Sequence, residues 1–363
     1  MRVLIVATQI LLPDTHGGST HTTEVIAHLR KLGPVCCLAR QGSSGTGIIG
    51  IGSMGKHPLS KRTLVSALDL PAALKAAWNF KPDVVYERGS SYGLGAMIAA
   101  SLRLPLITMV LDEQVSRLSL RLAHTLVTTH PPLVPTDHHD KVVQVSWGAN
   151  TGLFHPDIAE PQVGAQGDGN SPLLVYVGSF KKWHALDLLL QALEQPALTH
   201  TRAVLVGDGP LRRDLQCRAE QLGIASRVQF TGAIAYSRVP GFVAAADVCI
   251  APFDPQFHRP SGEGFVLDPL KVFEYLAMEK PTVTIKSDNI AALFEDHKHL
   301  RLYHPGHLYG LVEAISWFLT NPDRGRKVAR AGRDIVLASH TWEKHADHLY
   351  RLFAEAISTR AHK

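Results

Sequence analysis

The feature that most constrains this chain is a repeated one. A short, wholly apolar run is followed by a glycine or polar turn, and then by residues that are apolar at helical spacing. Val3 to Ala7 opens one such series and Leu173 to Val177 opens a second. These runs are apolar at consecutive positions rather than alternate ones. Both faces of the strand must therefore be covered, as they are in a parallel sheet flanked by helices. Further strands are expected at Val35 to Ala39, Asp83 to Tyr86, Leu106 to Leu111, Leu126 to Thr129 and Val142 to Val145, and in the second series at Ala203 to Val206, Val228 to Phe230, Val248 to Ala251 and Thr282 to Ile285. Between them lie helical patterns such as Val25, Ile26, Leu29 and Leu32. Arg40 to Lys61 reads as a long Gly- and Ser-rich connection, and the following helix as Leu64 to Phe80. Pro156 to Pro172 has no apolar period and reads as a linker. The expected architecture is α/β, with two Rossmann-like domains, 1–155 and 173–341, facing each other across a cleft.

Composition excludes several classes. With 363 residues the chain is too long for one ordinary core, and its 45% hydrophobic and 19% charged residues mark a folded protein. The formal net charge is +5 and the pI about 9.0. No dense Lys/Arg block accompanies that excess, so it points to phosphorylated ligands or an anionic surface and not to nucleic acid. Cys36, Cys37, Cys217 and Cys249 form no C-x-x-C pair, which fits a reducing cytoplasm. Met1 to Ala7 is too brief for a signal segment, and no run reaches the ~18 apolar residues of a membrane span. A soluble, cytoplasmic protein is expected, with peripheral membrane contact left open. No basic-hydrophobic helix stands out in the first half, which favours a soluble partner. His130, His138 and His139 match no ligand spacing, so no metal is expected.

Three polar features are candidates for chemistry. Pro269 to Met278 reads as a loop entering a short helix, with Leu270, Phe273, Leu276 and Ala277 on one face. Lys271 and Glu274 are three apart and share a surface. A cation and a carboxylate near a helix N-terminus could receive a phosphorylated, hydroxyl-rich ligand; the alternative is a surface ion pair. After the first strand, Gly17-Gly18 stands where backbone N–H groups could meet an anion. The spacing is neither G-x-G-x-x-G nor a P-loop, and a tight βα turn is the alternative. Glu87-Arg88 ends a strand at the edge where α/β proteins place ligands, or forms a loop ion pair.

The ordered set of motifs resembles the large retaining glycosyltransferase family four. The second half carries it in Val175-Tyr176-Val177-Gly178-Ser179-Phe180, Val206-Gly207-Asp208-Gly209-Pro210, Phe230-Thr231-Gly232, Ala245-Ala246-Asp247 and Pro269-Leu270-Lys271-Val272-Phe273-Glu274-Tyr275. The first half adds His16-Gly17-Gly18 and Pro82 to Arg88, and Asn150 to Phe154, Asn321-Pro322 and Thr341-Trp342 complete it. The resemblance implies a GT-B fold, with a nucleotide-sugar donor in the second domain, the acceptor mostly in the first, and a last helix of about 342–363 returning to the first. It also implies no cofactor and no metal, a UDP- or GDP-sugar as co-substrate, and a saccharide, lipid-linked or small-molecule acceptor. By position, donor contacts fall to Gly17, Gly18, Gly178, Ser179, Lys181, His184, Gly207, Ile234, Lys271 and Glu274. Acceptor contacts fall to His16, Glu87, Arg88 and Asp112, and catalytic roles to Lys182, Glu274 and Arg88. Glu274 matches the ribose-binding second glutamate of the family's E-x7-E motif, while Val266 stands in place of the first. Ser179 and His184 replace the family's diphosphate-binding arginine and lysine, so Lys181 or Lys182 is left to supply that charge. Ala185 replaces a glycine of a W-H-G branch, and Glu279 a helix-ending glycine. Other outcomes on the same fold are a nucleotide-sugar epimerase and a non-catalytic binder.

Overall fold

A computed structural model describes residues 1–14, 16–52, 59–89, 92–112, 115–157, 171–258 and 268–361. The chain divides into two compact units, Met1–Trp147 with Trp342–Lys363, and Gly148–Thr341. Residues 148–155, expected in the first domain, thus belong to the second unit. Their contacts explain why: Ala149 bridges to Thr341, and Phe154 packs its ring 5.5 Å from Tyr236. Of the expected linker, 158–170 lies outside the described residues.

The first unit is a seven-stranded parallel sheet. Its strands are β1 (Val3–Ala7), β2 (Val35–Arg40), β3 (Ile48–Gly52), β4 (Val84–Arg88), β5 (Leu106–Val110), β6 (Thr125–Thr128) and β7 (Val142–Gln144), in the order β3-β2-β1-β4-β5-β6-β7. β1, β4, β5 and β6 are buried along their whole length, as runs apolar on both faces require. Helices α1 (Gly17–Leu32), α2 (Leu59–Phe80), α3 (Leu94–Leu102) and α4 (Arg117–Leu122) cover it. The C-terminal helix, Trp342–Ala361, packs on α1 and sets Phe353 5.5 Å from Tyr86 of β4. β3 corrects the expected long connection after Arg40: Ile48, Ile49, Gly50 and Gly52 pair with β2, the glycines having masked the strand pattern. α2 begins five residues before the expected Leu64. Its inward face holds the small residues Ser66, Ala73 and Ala77, while Leu64, Leu68 and Trp78 are 63%, 72% and 72% exposed. These three project from one side of the helix together with exposed Lys75.

The second unit repeats the design with a six-stranded parallel sheet. Its strands are β8 (Leu173–Val177), β9 (Arg202–Val206), β10 (Val228–Gly232), β11 (Val248–Ala251), β12 (Thr282–Ile285) and β13 (Arg301–Tyr303), in the order β10-β9-β8-β11-β12-β13. Helices α5 (Leu186–Glu194), α6 (Arg212–Gln221), α7 (Val239–Ala245), α8 (Leu270–Ala277), α9 (Asp288–Leu293), α10 (Leu308–Thr320) and α11 (Pro322–Ser339) flank it. α9 and the edge strand β13 are too short to announce themselves by periodicity. In each unit the strand order reverses beside the opening strand, between β1 and β4 and between β8 and β11. At such a switch point the flanking loops part and leave a crevice outside the carboxyl ends of the strands.

Candidate functional site

In the second unit the loops after β8 and β9 close on one another. A Cβ on Gly207, at φ +134°, would lie 2.0 Å from the Gly178 carbonyl oxygen, so no other residue fits. Gly178 N–H donates to the Val206 carbonyl at 2.9 Å, and Phe180 N–H to that of Asp208 at 2.9 Å. The Ser179 carbonyl is turned inward. It accepts from the Tyr176 hydroxyl at 2.9 Å and from Nδ1 of His184. Since a carbonyl only accepts, the His184 proton sits on Nδ1. Burial first, and Lys271 second, hold its pKa well below the usual histidine range. His184 therefore spends its Nδ1 proton within the fold. It is a neutral brace of the glycine loop, with its N–H directed into the fold.

Lys271 occupies the second position of α8, at the switch point. A Cβ on Gly178 would be 2.6 Å from its Nζ, which also lies 4.1 Å from the centroid of Tyr176 and 5.2 Å from that of Phe253. The Nζ is buried and has no hydrogen-bond partner among the described residues. Burial pulls its pKa down to about 7, with a smaller opposing influence from Glu274. Glu274 is buried as well and accepts from the Tyr236 hydroxyl at 2.8 Å. The surface ion pair considered from the sequence is thus excluded, because α8 is buried from Val272 to Ala277. Lys181 and Lys182 are exposed, and Lys182 leans over Phe257 at 5.5 Å. Ile234 is half-buried in the loop after β10, two residues before Tyr236. Val266 and Glu263 lie outside the described residues.

Both glycine replacements are answered by the backbone. Ala185 sits at φ +46° between the turn Lys182–His184 and α5. Glu279 takes φ +54°, with its N–H on the Leu276 carbonyl at 2.9 Å and the Lys280 N–H on that of Tyr275 at 3.1 Å. That is the paired bonding of a Schellman cap with glutamate in the left-handed position. Lys280 Nζ then donates to the carbonyls of Ala244 and Ala246 at the end of α7.

In the first unit, His16 caps α1 by accepting from Ser19 N–H at 3.2 Å, which makes Gly17 and Gly18 the first residues of the helix. A Cβ on Gly18 would come within 3.3 Å of an Arg88 nitrogen. Arg88 ends β4 and is buried, and burial brings its pKa to about 10 against opposing influences from Tyr86 and then Asp112. Half-buried Asp112 follows β5. Gly17, Gly18 and Arg88 thus gather at the β1/β4 switch point. Glu87 is wholly buried, accepting from Gly95 N–H of α3 at 3.0 Å and from the Thr108 hydroxyl at 3.4 Å, so its carboxylate anchors a helix start. Beside this edge His21 is boxed by Trp147, Trp342 and His345, with centroids 4.7, 5.3 and 5.8 Å away, and neither ring nitrogen has a hydrogen-bond partner among the described residues.

Sequence reasoning missed Tyr176, Tyr236 and Phe253. Their roles depend on tertiary neighbours, and only the placement of Tyr236 just after a strand end hinted at one. Among the described residues, no three His, Cys, Asp or Glu side chains converge as metal ligands, and no helix is long and apolar enough to cross a membrane.

Residues 171–321 match the family model described as "Glycosyl transferases group 1". A GDP-mannose-dependent alpha-(1-6)-phosphatidylinositol monomannoside mannosyltransferase of Mycolicibacterium smegmatis is 27% identical over 216 residues, 57% of this chain and 54% of that protein. The chain spans about half the length of the curated relatives it matches. Among solved structures, sucrose-phosphate synthase from Thermosynechococcus elongatus superposes with a TM-score of 0.77 at 18% identity, covering 99% of each chain. Anabaena HepE in complex with UDP and glucose gives 0.79 at 15% identity, covering 97% of this chain and 99% of that one. These likenesses agree with two Rossmann-like α/β halves of GT-B type, and the family match lies in the second of them.

Proposed function

We propose that this chain is a retaining glycosyltransferase that moves a sugar from a UDP- or GDP-sugar to a hydroxyl group. The observation that carries this reading is the β8/β11 edge. There Glu274, oriented by Tyr236, lies one turn along α8 from Lys271, whose Nζ is against Gly178, and Gly178 and Gly207 draw their two loops close together. In this reading the ribose hydroxyls donate to Glu274, the base lies near Ile234, and the diphosphate lies along the Gly178 loop. The acceptor oxygen forms its bond to the anomeric carbon as the bond from that carbon to the diphosphate breaks. The electron pair leaves with the phosphate, and the acceptor proton passes to the departing phosphate oxygen, so the configuration is retained. The mycolicibacterial relative is named for GDP-mannose and the HepE structure for UDP and glucose, which supports these two donor classes.

For the acceptor we assign the β1/β4 edge of the first unit, with His16, Arg88 and Asp112. The exposed apolar stripe of α2, with Lys75 in line and no carboxylate among Leu64, Leu68 and Trp78, favours a lipid-linked saccharide over a freely soluble one. The full chain incubated with GDP-mannose and UDP-glucose, with and without acceptors in anionic vesicles, tests both points. Acceptor-dependent release of nucleoside diphosphate is expected. An altered sugar still joined to its nucleotide would establish epimerisation instead, and tight donor binding with no product would establish a binder.

A further inference from the structure

The two exposed loop lysines, Lys181 and Lys182, are the sequence's obvious candidates for a diphosphate, yet the cation held at the glycine loop is Lys271. Its Nζ lies against Gly178 and is buried without a hydrogen-bond partner among the described residues. It stands in the first turn of α8, where the helix N-terminus is itself electropositive. An ammonium there is repelled by the helix and stripped of water. The ring faces of Tyr176 and Phe253 offset this, with a smaller contribution from the Glu274 carboxylate one turn along α8. The polar groups facing it give it no hydrogen bond. The Tyr176 hydroxyl is committed to the Ser179 carbonyl, the His184 proton to the same carbonyl, and a Glu274 oxygen to Tyr236. An anion at the Gly178 loop would complete the site.

We propose that Lys271, in place of Lys181 and Lys182, is the cation for the donor diphosphate, and that on the alkaline side of neutrality it waits as an amine and takes up to one proton from solvent when the diphosphate arrives. This rests on the nucleotide-sugar reading of the same edge. The balance is simple: the amine nitrogen gains a proton, a buffer molecule loses one, and no covalent bond to the ligand forms. The depression of its pKa to about 7 allows the exchange near neutrality. Donor affinity would accordingly fall as the pH rises through 7 and 8.

Calorimetry on the full chain tests this with GDP, UDP, guanosine, uridine and inorganic pyrophosphate, between pH 6 and pH 8.5, in buffers of different ionisation enthalpy. Wild type should take up more protons per diphosphate than Lys271→Met, a difference that removes the phosphate's own titration. Lys271→Met should bind the diphosphates roughly 10–100-fold more weakly while holding nucleosides unchanged. Lys271→Gln should match it, which guards against a packing effect of methionine. Equal diphosphate affinity in wild type and both variants, or equal proton uptake, overturns the proposal. Equal loss of nucleoside and diphosphate overturns it too, since that marks a structural role. The outcomes separate from those of the parent reading. If wild type binds pyrophosphate through Lys271 but neither nucleotide, the nucleotide-sugar reading falls and Lys271 stands. If nucleotides bind equally to wild type and variants, Lys271 falls and the reading stands.

Discussion

Replacing Lys271 with methionine should make the free protein more stable, although it weakens the ligand. The structure gives the magnitude. Burial lowers the lysine from its ordinary 10.5 to about 7, and at about 1.4 kcal/mol per tenfold change the protonated form would cost the fold roughly 4–5 kcal/mol. The Lys271 stem is partly accessible, and screening trims the expected gain in Lys271→Met to about 2–4 kcal/mol. For a unit of this size that raises the unfolding midpoint by roughly 5–10 °C. The sign follows from proton linkage. The folded pKa is depressed, so the unfolded chain binds the extra proton wherever the pH lies between about 7 and 10.5. The penalty is full below pH 7 and gone above pH 10.5. Urea unfolding of wild type and Lys271→Met, followed by circular dichroism at pH 7 and pH 10.5, reads this directly. The gain should be present at pH 7 and fall below about 1 kcal/mol at pH 10.5. A destabilised Lys271→Met at pH 7, or a gain independent of pH, would refute the reasoning.

Glu274→Ala should weaken donor or nucleoside-diphosphate binding by roughly 1.5–3 kcal/mol, and Tyr236→Phe by about 1 kcal/mol, because the second removes only the hydroxyl that orients the first; unchanged affinity for Glu274→Ala in calorimetry excludes a ribose contact. Glu279→Gly should stabilise the second unit by about 1 kcal/mol, since it places glycine at φ +54° in an existing Schellman cap, and a lowered melting temperature would show that the glutamate is held there by something else. His340 and His345, each brought to about 4 chiefly by burial, should make the fold acid-sensitive. Their folded pKa values are depressed, so stability is lost as pH falls from about 6.5 towards 4, by about 2 kcal/mol for each at pH 5. His345→Gln should flatten that loss in the first unit, and an unchanged acid profile would contradict it.

The fold was legible because both sheets are parallel and doubly covered, so β1 and β8 read as continuous apolar runs that amphipathic strands would not produce. β3 was not, because its glycines break the pattern and its pairing partner, β2, decides the matter. At the site, Glu274 and the glycine loops were visible through spacing. The burial of Lys271 was not, because Tyr176, Gly178 and Phe253 reach it from three separate stretches of chain. Glu87 carries a related ambiguity. A carboxylate at a strand's C-terminal end can serve a ligand or a neighbouring helix, and only the position of Gly95 distinguishes the two. The carbonyl that takes the His184 proton, five residues back, was likewise not visible in the sequence.

The account turns on a nucleotide held at the β8/β11 edge of the second unit. A structure of the chain with UDP or GDP bound tests that claim most directly. It should show a ribose hydroxyl within hydrogen-bond distance of a Glu274 carboxylate oxygen and a phosphate oxygen within reach of Lys271 Nζ beside Gly178. A nucleotide bound elsewhere, with no ribose hydroxyl at Glu274 and no anion at Lys271, would contradict it.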